Sequence, residues 1–211
     1  LSDETFVAIE RTGWMDDACS AAYVMTFQDY RDLFDTDVLA PDTAVEVTNV
    51  TILFTDLKDS TAMYGRTGDA KAFGLVRDHF TVLTSAVREY DRAIVKTIGD
   101  AVMAAFLDPA LALKAAVSMH QKITALKTPD GEPVILKIGL HAGPCFAVTL
   151  SERLDYFGST VNIAARIQGQ SYGGDIILSK ELAESLNVKQ SLSKFPQEEF
   201  EADLKGIKGS K

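Results

Sequence analysis

Cysteine is nearly absent. Cys19 and Cys145 lie far apart, and neither has a Cys or His neighbour at metal-ligand spacing. That excludes a zinc site and a disulfide framework, and leaves two ordinary reduced thiols of the kind found in an intracellular, cytoplasmic protein. Basic residues are also short: 21 Lys and Arg against 30 Asp and Glu give a formal net charge of −9. With no Lys/Arg run to neutralise a phosphate backbone, nucleic acid is excluded as the main partner, and any anionic ligand needs local positive charge or metal. Long apolar runs are missing too. The most apolar stretch, Ala101 to Val117, is broken by Asp108, Pro109 and Lys114, well short of a membrane span, and no signal peptide is visible. Starting at Leu1 and stopping on Lys-Gly-Ser-Lys, the sequence reads as a fragment of a longer chain, so that any anchor of the parent lies outside it.

What is present is a soluble, globular composition, with 46% hydrophobic residues in 211, enough for one well-buried domain plus an extension. The boundary falls near residue 46. Residues 1–46 are rich in Asp and Thr with scattered aromatics, and the pattern predicts a helix around Asp16 to Phe34 with Trp14, Tyr23, Phe27, Tyr30 and Phe34 as its apolar stripe, then a Pro41-marked loop. Two readings of this helix stand: packing against the domain, or coupling to a regulatory domain elsewhere in the parent chain.

Residues 47–211 carry the chemistry. Ala93 to Phe106 reads as a β-hairpin turning at Ile98-Gly99-Asp100, with Lys96 set into an otherwise apolar strand. A Lys there is costly if buried and serves no purpose for solubility on so hydrophobic a ribbon. Upstream, the apolar run Thr51 to Phe54 ends in Thr55-Asp56-Leu57-Lys58-Asp59-Ser60-Thr61, which puts a carboxylate at a strand end beside small residues that open a helix and leave amides free for an anion. Asp56 and Asp100 on adjacent strands suit divalent cations that clamp a polyphosphate.

Helical spacing at Phe73, Val76, Phe80, Leu83, Val87 and Tyr90 predicts a core-facing helix over Asp69 to Tyr90, and Ala112, Ala116, Met119, Ile123 and Leu126 predict another from Pro109. His79, inside the first, reads as structural. Val134 to Leu140 reads as a strand ended by His141, also structural, and Phe146 to Leu150 as the next strand. A helix over Ser159 to Gln168 places Asn162 and Arg166 four apart on one face, preceded by Asp155. The strand Ile176 to Leu178, a helix near Lys180 to Leu186 and edge strands close the chain.

Four motifs in this order, FTDLKDST, KTIGDAVMAAF, LKIGLHAG and LDYFGSTVNIAARI, resemble the catalytic domain of class III nucleotidyl cyclases, and among them the adenylyl cyclases. The resemblance spans roughly Val47 to Lys208. It implies an α+β fold with a ferredoxin-like, palm-type βαββαβ core, here with a short N-terminal helical extension. It also implies conversion of ATP to cyclic AMP and pyrophosphate in composite sites of a head-to-tail homodimer. On the family's pattern Asp56 and Asp100 hold two divalent cations, Mg²⁺ or Mn²⁺. One activates the ribose 3′-hydroxyl for in-line attack on the α-phosphorus and the other anchors the triphosphate.

The same pattern has Asn162 orient the ribose and Arg166 stabilise the α-phosphoryl group. Lys96 and Asp155 take the positions that discriminate purines. A Lys donor and an Asp acceptor match adenine, which offers an acceptor at N1 and a donor at N6, and guanylyl cyclases typically carry Glu and Cys there. Lys137 replaces an Arg common at a phosphate-contacting position, and Lys205 is a second phosphate contact from the C-terminal edge, with Lys208 close in spacing. Asp59 stands where a Gly is common. The alternatives are a guanylyl or mixed-purine cyclase, and a catalytically silent nucleotide-binding or dimerisation module, although silent versions typically lack a metal Asp or the Arg.

Overall fold

The structure is a computed structural model that describes residues 21–33, 39, 43–90, 92–150 and 153–204. Its centre is a strand of unusual length, β1 (Ala44–Leu57), whose inner half is buried on both faces: Leu53 and Leu57 point into one core, Ile52 and Phe54 into a second. This is why Thr51 to Phe54 reads as an unbroken apolar run rather than an alternating one.

After β1 come α3 (Ser60–Thr67), α4 (Asp69–Arg88), the hairpin β2 (Ala93–Ile98) and β3 (Ala101–Phe106), α5 (Pro109–Ile123) and β4 (Leu136–Leu150). The sheet order is β2-β3-β1-β4, extended by β5 (Arg153–Phe157), and its neighbours pair antiparallel. With α3 and α4 as one connection, this is the expected βαββαβ core. α6 (Ser159–Gln168) and β6 (Ile176–Leu178), which runs parallel to the first part of β4, follow as the sequence predicts.

Side chains of α4, α5, α7 (Lys180–Glu184) and α8 (Leu186–Leu192) fill the first core. α5 starts at Pro109 with the Asp108 side chain capping the Ala110 amide at 2.8 Å. On α4 the buried face is Ala72, Leu75, His79, Leu83, Ala86 and Val87, one step round from the predicted stripe, and Phe73 is 71% exposed. Small residues decide this: Ala72 and Ala86 let the helix approach the sheet, while Phe73 would hold it off. His79 is fully buried, and burial lowers its pKa to about 4, in keeping with a neutral structural imidazole.

Three expectations need correction. His141 does not end a strand, because Leu136 to Leu140 and Phe146 to Leu150 fall in one strand, β4, which β1 accompanies as far as Val148, while Val134 and Ile135 precede it. Pro144 is tolerated there because it lies opposite the register shift between Val47 and Val50, where a ladder donor is not required. At the C-terminus α8 replaces the edge strands: Val188 and Leu192, four apart, bury into the first core, and residues 193–204 hold no strand. Among the described residues the N-terminal helix is two short ones, α1 (Ala21–Val24) and α2 (Gln28–Leu33), and its predicted start at Asp16 as well as Trp14 and Phe34 lie outside them. Tyr23 and Phe27 meet edge to face at 4.8 Å beneath the Arg92 guanidinium, and Met25 is buried in the second core, so this segment packs on the domain.

α6 lies on β4 because Gly139 has no side chain: a Cβ there would stand 2.2 Å from the Gln168 backbone nitrogen. Gly139→Ala is expected to lower stability by about 3 kcal/mol, the upper range for overpacking, since backbone cannot yield as a side-chain tip can. Urea unfolding beside wild type reads this, and an unchanged midpoint would show that α6 can lift without cost.

Candidate active site

The two candidate metal carboxylates come together as the spacing predicts. Thr55 and Val102 are partners across β1 and β3, so the next residue, Asp56, faces the hairpin tip that carries Asp100. Thr55 ties the strands further by accepting the Val102 amide at 3.2 Å. Burial raises the Asp56 pKa, the Asp100 charge adds to it, and Lys137, directly opposite on β4, lowers it. On Asp100, Oδ2 is buried without a hydrogen-bond partner. Hard carboxylate oxygens, mutually repelling and incompletely satisfied, fit Mg²⁺ or Mn²⁺. No cluster of three or more acidic, His or Cys side chains occurs among the described residues, so protein ligands beyond these two are not supplied as side chains of that kind.

Beside this pair, Asp59 turns the chain into α3 with φ 55, the single positive-φ non-glycine among the described residues, and its side chain does not cap the helix. A position where Gly is common therefore keeps the left-handed backbone, with an exposed carboxylate added next to the free first-turn amides. Tyr64, on the next turn of α3, feels both carboxylates: burial raises its pKa, with Asp100 and Asp56 adding to it. Nothing in the spacing around Tyr64 marks it beforehand.

The two positions expected to discriminate purines meet. Lys96 on β2 and Asp155 on β5 form an ion pair at 2.5 Å, although their strands lie at opposite ends of the path β2-β3-β1-β4-β5. The sheet must curl to bring these edges together. Asp155 is held further by accepting the Tyr156 amide at 2.8 Å, and its side chain is 11% exposed. Asn162 and Arg166 sit on α6 as expected, Asn162 exposed and Arg166 half-buried, and the Arg166 guanidinium makes no ion pair among the described residues. Lys205 and Lys208 lie outside the described residues. His141 is held by Ser179 at 2.8 Å and takes no part.

A family model described as the adenylate and guanylate cyclase catalytic domain matches residues 43–211. The chain belongs to that family. Among curated relatives of this cyclase domain, an adenylate cyclase of Lachancea kluyveri is 34% identical over 68% of the chain, and guanylate cyclase 32E of Drosophila melanogaster is 29% identical over 66%. The chain spans only 9% and 13% of their lengths. A solved structure, the guanylyl cyclase domain of the RhoGC fusion protein of Blastocladiella emersonii in a monomeric double-mutant form, matches with a TM-score of 0.65 and 28% identity. That match covers 70% of this chain and 86% of the other.

Two measurements test the acidic end of this cyclase domain. Asp100→Asn is expected to keep or raise thermal stability without metal, because it relieves the repulsion on Asp56, and to abolish the stabilisation that Mn²⁺ gives wild type. Equal Mn²⁺ shifts in both proteins would remove Asp100 from the metal site. Asp59→Gly is expected to change stability by no more than about 1 kcal/mol, upward if left-handed strain outweighs glycine's entropy, read as a urea midpoint.

Proposed function

We propose that the chain is an adenylyl cyclase domain that converts ATP to 3′,5′-cyclic AMP and pyrophosphate. The observation that carries this reading is the Lys96–Asp155 pair: one donor and one acceptor, side by side in a single chain and partly desolvated, matched to N1 and N6 of adenine. Guanine presents the opposite polarity on that edge. A site built on one hydrogen-bonding pattern rejects the other by up to about 10⁴-fold, because the mismatch leaves polar groups unpaired.

In the reaction the ribose 3′-oxygen bonds to the α-phosphorus, the bond from that phosphorus to the bridging oxygen of the β-phosphate breaks, and the hydroxyl proton is released. Asp56 and Asp100 would hold two divalent cations, Mg²⁺ or Mn²⁺, which would supply positive charge to offset that on the attacking and leaving oxygens. Arg166 stabilises the charge that develops on the α-phosphoryl oxygens, and Asn162 orients the ribose from the same face of α6. Lys137, beside Asp56, and Lys205 contact phosphate.

We place the complete site at a head-to-tail homodimer interface, the acidic end of one protomer facing the Lys96, Asp155, Asn162 and Arg166 end of another. A chain with both halves then forms two equivalent sites. Residues 1–46 serve as an extension that links residues 47–211 to a regulatory domain of a longer, cytoplasmic parent. A second reading, guanylyl or mixed-purine specificity, is favoured by the similarity to proteins named guanylate cyclases. A silent nucleotide-binding module is disfavoured because all six main positions are filled.

Cyclic nucleotide production from ATP and from GTP, over a protein dilution series in Mg²⁺ and in Mn²⁺, tests the proposal. The expected outcome is cyclic AMP at a specific activity that rises with protein concentration, reduced at least about 100-fold in Arg166→Ala, the scale for losing one preorganised transition-state contact. Cyclic GMP formed as fast as cyclic AMP would overturn the specificity, and bound nucleotide without product would overturn the activity.

A further inference from the structure

The curl that joins Lys96 to Asp155 has a second fastening, from outside the sheet. Arg31, on α2, donates from one guanidinium nitrogen to the Val95 carbonyl at 3.0 Å and to the Leu154 carbonyl at 2.5 Å. Val95 and Leu154 immediately precede Lys96 and Asp155. One side chain therefore grips both edge strands at the residues next to the two purine-reading side chains.

Val95 is also where the β2–β3 register slips. Ile94 pairs with Ala104 and Lys96 with Met103, so Val95 is the extra residue of a bulge, the device by which a strand re-aims the side chain that follows. Its carbonyl needs a donor, and Arg31 supplies it. The other guanidinium nitrogen returns to the Met25 carbonyl at 3.4 Å within the helical segment, and Met25 is buried in the second core, so the cation is anchored at both ends. Burial lowers the Arg31 pKa, and neighbouring charges that include Asp155 and Asp32 work the other way. A desolvated cation fixed on backbone carbonyls is costly to displace.

We infer that Arg31 is a positioning residue for purine selection: it holds the bulge of β2 against β5 and thereby fixes the spacing of the Lys96 ammonium and the Asp155 carboxylate. The inference rests on the reading of Lys96 and Asp155 as the adenine contacts. Through Arg31 the segment ahead of the catalytic core sets the geometry of the base pocket from outside the sheet.

Its test is the ratio of ATP to GTP, taken both as kcat/KM and as equilibrium competition against a fluorescent ATP analogue. Arg31→Ala, Arg31→Lys, Arg88→Ala and Lys96→Ala are compared with wild type. Arg88 is the control because its exposed ion pair with Asp32, at 3.0 Å, also ties α2 to the domain but touches neither edge carbonyl. Arg31→Ala is expected to reduce the ATP preference about tenfold, mostly through KM for ATP. Arg31→Lys, which keeps a donor for one carbonyl, should recover part of it, and Arg88→Ala should leave the ratio as in wild type. Equal losses for both purines in Arg31→Ala, with the ratio intact while Lys96→Ala shifts it, would overturn the inference alone and make Arg31 a stability residue. A ratio untouched by Lys96→Ala would overturn the base-contact reading, and the inference with it.

Discussion

A charged carboxylate at the end of a strand that is otherwise sealed is the constraint from which the site follows. Over its inner half β1 is covered on both faces and paired on both edges, so Asp56 emerges half-buried straight from the core. The fold answers with Lys137 opposite and sets Asp100 close by, which adds to the strain on the same side chain rather than relieving it. Two carboxylates brought together at such a place favour a proton or a cation between them. The net charge of −9 makes this sharper: attraction for any anion cannot come from the surface as a whole and would fall to a few placed cations.

Local chemistry was readable wherever a short stretch decides its own conformation. The Gly99–Asp100 turn, the bounds of α6 and of β6 and the start of α5 at Pro109 all appear where the pattern puts them. The core-facing side of α4 was less readable, since a periodic set of large apolar residues competes there with a set of small ones, and close approach favours the small. β4 reads as two strands divided at His141; in the structure it continues through Gly143 and Pro144 because the partner strand carries a compensating irregularity, nearly a hundred residues away in the chain. The segment after Leu186 reads as edge strands until one knows that the first core stands ready for Val188 and Leu192.

The site shows the same division. Asp56, Asp100, Asn162 and Arg166 belong to recognisable local patterns and could be named individually. That Lys96 and Asp155 touch depends on the sheet's curvature, which no window of residues encodes. Arg31 lies further still from inference: one Arg among the charges of a short helix carries no mark of the two carbonyls it will meet, and its partners stand 64 and 123 residues away. Tyr64 and Thr55 are ordinary helix and strand residues until the hairpin tip is placed beside them.

The contact between Gly139 and the end of α6 also bears on movement. A helix seated directly on strand backbone has no layer of side chains on which to slide, so β4 and α6 travel as one body, carrying Asn162 and Arg166 with them. Any closing of the domain around a bound molecule would have to leave that pair intact, so that whatever approaches Asn162 and Arg166 comes to a fixed platform.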